Sequence, residues 1–65
     1  EKAKRIVVEL FEAFAREPSL LPADWAALCV NEAATAGVVR DYIAGMTDNF
    51  ALEEHARIFH TEIAL

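Results

Sequence analysis

Asp41-Tyr42-Ile43-Ala44-Gly45-Met46-Thr47-Asp48-Asn49-Phe50-Ala51-Leu52 is the stretch that sets the architecture. Tyr42, Ile43 and Met46 continue a helical spacing that starts at Val38 and Val39, which predicts a helix over residues 33–48. The Thr47-Asp48-Asn49 run breaks that phase. Met46 to Phe50 keeps step, but positions 53 and 54 are both glutamate. A new stripe at Leu52, His55, Ala56, Phe59 and Ile63 predicts a kink at 47–49 and a last helix over 50–61, with Asp48 or Asn49 as its cap. Gly45, read as lying inside the third helix, weakens it. Its presence there points to a close approach by a packed helix, or by a ligand or a helix from outside this segment.

Outward from that stretch, Asn31 is a good N-cap and Glu32 suits the first turn that follows it. Gly37 weakens the early part of the same helix by about 1 kcal/mol relative to alanine. Pro22 and Asp24 favour a helix start, so a short helix over 23–30 is expected to carry Trp25, Leu28 and Cys29. Glu17-Pro18-Ser19-Leu20-Leu21-Pro22 is a turn, because each proline steers its predecessor away from helical torsions. Residues 2–16 form an amphipathic helix. Ala3, Ile6, Val7, Leu10, Phe11 and Phe14 make one face, and Lys2, Lys4, Arg5, Glu9, Glu12 and Arg16 cover the other. No strand alternation persists. The fold class is therefore all-α, with three to four short helices in a single segment.

Sixty-five residues make at most one small domain, burying roughly 60% of the unfolded surface. The chain is 55% hydrophobic with a mean hydropathy of +0.22, more apolar surface than so few helices can hide. One face is expected to meet protein outside this segment, either the rest of a parent chain or a second copy. The helical pattern already runs at Glu1, which is not a methionine, so an excised piece of a longer chain is expected. The net charge of −5 argues against nucleic acid or an anionic membrane as partner. No apolar run approaches the roughly 20 residues of a membrane-spanning helix. Cys29 is the single cysteine; a lone thiol fits a reducing cytoplasm, and its expected role is that of a small buried hydrophobe.

The chain holds little chemistry of its own. His55 and His60 are five apart, about 140° around a helix, so they cannot share one ion. No nucleophile elbow, phosphate loop or Cys–His arrangement occurs, and Ser19 sits in a proline turn. No catalytic and no metal-ligating residue is assigned. Tyr42 reads either as a core ring with its hydroxyl at the surface or as a functional polar group. Asp48 reads as a helix cap or a functional carboxylate. Arg40 reads as half of a solvated pair with Asp41 or as a phosphate contact.

The Asp41–Leu52 stretch, with Val38-Val39 before it and the Glu1-Lys-Ala-Lys-Arg-Ile-Val-Val-Glu-Leu-Phe-Glu-Ala-Phe14 helix, resembles the C-terminal region of the bacterial deoxyguanosinetriphosphate triphosphohydrolase-like proteins of the HD superfamily. The likeness runs over nearly the whole chain. The Pro18–Pro22 turn resembles the family's connector, and Glu53–Phe59 its closing helix. Two departures are Asn49 and the surroundings of Gly37, where the family often carries a basic residue. The resemblance implies a parent that splits a deoxynucleoside triphosphate into deoxynucleoside and tripolyphosphate. It also implies a divalent metal such as Mg²⁺ or Mn²⁺, held by histidines and aspartates upstream of this segment.

On that reading the segment is an inactive helical part that walls the nucleotide pocket, with Tyr42, Asp48 and Arg40 as its candidate substrate contacts. Its partners are the rest of the catalytic domain and further copies in a cytoplasmic oligomer, and it binds no cofactor itself. The rival reading, from a different class, is an independent helical module that dimerises through its excess apolar surface. A third is a regulatory second-nucleotide site, which rests only on the family's habits.

Overall fold

The computed structural model describes the backbone of residues 3–63 and the side chains of residues 3–60. The expected start of the first helix at Lys2, and the packing of the Ile63 side chain, lie outside the described residues. Among the described residues the structure is all helical. Helix α1 spans Lys4–Arg16, a single 3-10 turn Pro18–Leu20, α2 Ala23–Ala26, α3 Glu32–Ala44 and α4 Asp48–Ile63.

The α1 stripe forms the centre of the molecule. Leu10, Ala13 and Phe14 are buried, with Ile6, Val7 and Phe11 half-buried beside them. Ala3, counted in the stripe, is exposed. Helix α1 packs on both α3 and α4. Helix α3 supplies Val39 and Ile43, with Val38 and Tyr42 half-buried alongside, and Met46 just past its end is buried with them. The Asn31 side chain caps α3 by accepting from the Ala34 amide at 2.8 Å.

Several expected helix bounds and caps need correction. The helix expected over 23–30 is one turn long. It ends at Ala26, and hydrogen bonds of the tighter i→i+3 type from Leu28 to Trp25 and from Cys29 to Ala26 lead the chain out of it. The helix expected over 33–48 starts one residue earlier and ends at Ala44. Gly45 is thus its C-cap rather than an interior residue, with ordinary right-handed torsions (φ −84°, ψ −3°). A Cβ at Gly45 would meet only the carbonyl oxygens of Asp41 and Tyr42, at ordinary contact distance, so among the described residues no packed helix approaches it.

The last helix begins at Asp48, two residues before the expected start. Its cap is Thr47, whose Oγ1 accepts from the Phe50 amide at 3.1 Å, and not Asp48 or Asn49. Ala51 and Ile58 are buried and His55 is half-buried, while Leu52 and Ala56 are exposed. The inward stripe takes in Ala51, His55, Ile58 and the half-buried Phe59, so His55 and Phe59 face inward as expected and Leu52 and Ala56 do not.

Candidate functional site

Tyr42 stands where four elements converge. Its ring meets Phe14 of α1 edge-on, with centroids 5.6 Å apart, and Trp25 of α2 at 5.1 Å. Such aromatic pairs add about 0.5–1.5 kcal/mol beyond the area they bury. Burial raises the Tyr42 pKa above the usual tyrosine value, and the charges of Glu54 and Asp24 push the same way against a smaller opposing effect of Arg57. At neutral pH the group is therefore a phenol, able to donate or accept a hydrogen bond but not to act as a base.

Glu54 and Arg57 lie three apart on α4, so both sit on one face. Arg57 donates to Glu54 through Nε at 3.1 Å and through Nη2 at 2.8 Å, and Nη2 also donates to the Leu20 carbonyl at 3.3 Å. The Glu54 contacts hold Arg57 even further above its already high value. This clasp ties the 3-10 turn to α4 across 37 positions of sequence. The arrangement positions groups and offers no nucleophile beside a base.

A second polar contact joins α1 to α4. His55 Nε2 and Glu9 Oε1 are 2.6 Å apart. The ionised carboxylate only accepts, so Nε2 carries the hydrogen. Glu9 also takes a hydrogen bond from Arg5 Nε at 3.3 Å. The His55 contact, then Arg5, lower the Glu9 pKa below its usual value. The His55 ring lies over Phe59, 4.4 Å between centroids.

The residues singled out from sequence do not form one site. Arg40 is two positions before Tyr42, about 200° around α3, so it projects away from the core. It is exposed and donates through Nε to Asp41 Oδ1 at 3.3 Å. Asp48 is exposed in the first turn of α4, where its charge suits the helix dipole. The charges acting on Tyr42 are Glu54, Arg57 and Asp24. Sequence reasoning did not single out Glu54, Arg57 or Glu9. The Glu54–Arg57 spacing was a readable signal, whereas the partners Leu20 and Glu9 lie 37 and 46 residues from theirs.

Cys29 is half-buried, with Sγ 3.8 Å from the Trp25 carbonyl. Among the described residues no three His, Cys, Asp or Glu side chains cluster closely enough to hold a metal ion. No helix of the described residues is long and apolar enough to cross a membrane.

A family model described as a phosphohydrolase-associated domain matches residues 1–57. The deoxyguanosinetriphosphate triphosphohydrolase-like protein of Caulobacter vibrioides is 53% identical over 64 residues, covering 95% of this chain and 16% of the relative. That of Brucella ovis is 51% identical over 59 residues, covering 88% of this chain and 15% of the relative. The chain thus spans about one sixth of the length of these relatives. No solved structure matches it.

Proposed function

This chain belongs to the phosphohydrolase-associated domain family, and from that premise we propose that it forms the C-terminal helical part of a deoxyguanosinetriphosphate triphosphohydrolase. The parent would convert dGTP and water to deoxyguanosine and tripolyphosphate, in the cytoplasm and as an oligomer. The carrying observation is identity of 53% across 95% of this chain to a triphosphohydrolase-like relative.

The described residues offer no metal cluster, so a divalent ion would be held by the parent's other residues and no metal-borne step is assigned to this chain. Its part is to support. The Phe14–Tyr42–Trp25 cluster holds α3 on α1 and α2, and the Arg57 clasp holds α4 on the 3-10 turn. Arg40, Asp48 and Tyr42 are the proposed contacts to a nucleotide held by the rest of the enzyme, each from its own place on the segment. Arg40 suits a phosphate oxygen.

The test is a product assay on the full-length parent and on this segment, with dGTP and Mg²⁺ or Mn²⁺. Release of deoxyguanosine and tripolyphosphate by the parent alone is the expected result. No release by the parent from any of the four deoxynucleoside triphosphates would sink this reading. The rival reading, an autonomous dimerising module, is favoured by the exposure of Leu28, Val30 and Leu52. It requires the bare segment to form a discrete, folded dimer on sizing.

A further inference from the structure

Trp25-Ala26-Ala27-Leu28-Cys29-Val30 is a run of six apolar residues without a glycine, proline or polar side chain. Connecting segments on a free surface are seldom so apolar. Only part of the run turns inward: Trp25, Ala26 and Cys29 are half-buried against the core. Leu28 and Val30, on either side of Cys29, remain 57% and 76% exposed. The Val30 amide donates to the Leu28 carbonyl at 3.0 Å, which draws this bend into a tight knuckle. Val30 is the most exposed large hydrophobic residue described.

We propose that the Leu28–Val30 knuckle is a plug that docks into an apolar socket formed by the rest of the longer hydrolase chain. This rests on the reading that the segment is part of such a chain. Most of each relative's length lies outside the matched stretch, so ample protein exists to form the socket. The knuckle's flanks carry exposed acidic residues, Asp24 before it and Glu32 after it. A second copy of this segment would bring those carboxylates, each on a chain of net charge −5, face to face around the same contact. A socket with a basic rim on the parent fits both the apolar tip and its acidic flanks.

The test uses the full-length protein carrying Val30→Cys in a Cys29→Ser background. Thiol labelling at that peptide is followed by mass spectrometry, native against denatured. In the plugged state labelling is expected to be slowed on the order of tenfold or more, because the thiol reacts only when the contact opens. A native rate within tenfold of the denatured rate overturns the proposal. Protection that disappears on dilution, together with dissociation to monomers, also overturns it, because the cover would then be a second copy. The readout does not depend on turnover. Protection in a parent that fails the dGTP assay would leave the plug standing and remove the assigned activity.

Discussion

Phe14, Leu10 and Val39 of the α1–α3–α4 core are fully buried, whereas the limb from Pro18 to Val30 ends in the most exposed large hydrophobic side chain described. The two regions have similar apolar content but different means of staying in place. In the core, helices of 13 to 16 residues repeat an apolar position each turn, so every residue added to a helix extends a contact. The limb has only one turn of 3-10 helix and one turn of α-helix, neither with a side-chain cap. It is held from outside, by Trp25 on Tyr42 and by Arg57 on the Leu20 carbonyl. The difference teaches that the core is specified by its own periodicity, and the limb by what it is attached to.

Replacing Phe14 with alanine is the strongest way to break the core. Loss of a fully buried ring costs about 3–5 kcal/mol, a large share of a small domain's stability. Denaturant titration of the full-length protein should show this region unfolding early. A loss under 1 kcal/mol would mean that the core owes its shape to other parts of the chain.

Asn31→Ala attacks the boundary between the two regions. Removing the cap of α3 is expected to cost about 1 kcal/mol. Asn31→Asp, which keeps an accepting oxygen, should restore most of it in the same titration.

Arg57→Ala frees the limb while leaving the core stripe intact. Because Arg57 is about half exposed, its loss should cost at most ~1 kcal/mol globally. Amide exchange should quicken at Leu20 and Leu21 far more than at Val39. Uniform acceleration in both places would contradict the division drawn here.

Gly45→Ala has the opposite sign. The site has right-handed torsions and a Cβ there would make only ordinary contacts, so the substitution should stabilise by about 0.4–1 kcal/mol. Destabilisation would reveal a close neighbour contributed by the rest of the parent.

The smallest effect concerns acid. Glu9 releases its proton more readily in the folded state than in the unfolded chain. Its contribution is therefore present above the unfolded value and lost as pH falls through the folded one. A plot of thermal midpoint against pH should fall less steeply below about pH 5 for Glu9→Gln than for the native chain. Parallel curves would show that the His55 contact adds nothing measurable.

How far the sequence could be read follows the same division. The α1 stripe from Ile6 to Phe14, the Asn31 cap and the proline break were legible because each is a local pattern with a local cause. The second helix was drawn too long because Leu28 and Val30 are apolar enough to imply a buried face that the described residues do not provide. In α4 the expected stripe took in Leu52 and Ala56, which are exposed. Burial there favours small Ala51 and Ile58, a choice made by the α1 surface they meet.

Candidate site residues fared according to the range of their contacts. The Arg40–Asp41 pair was readable from adjacency. The neighbours of Tyr42 were not, because Phe14, Trp25 and Glu54 come from three other helices.

The Glu9–His55 contact also carries a consequence in time. Its two halves are separated by 46 residues. At about 5–20 residues per second, the ribosome makes Glu9 some 2–9 seconds before His55. Through that interval the greasy face of α1 exists without the helix that will cover it. The nascent chain must shield Leu10 and Phe14 with whatever else has been synthesised, or with a chaperone, until α4 arrives.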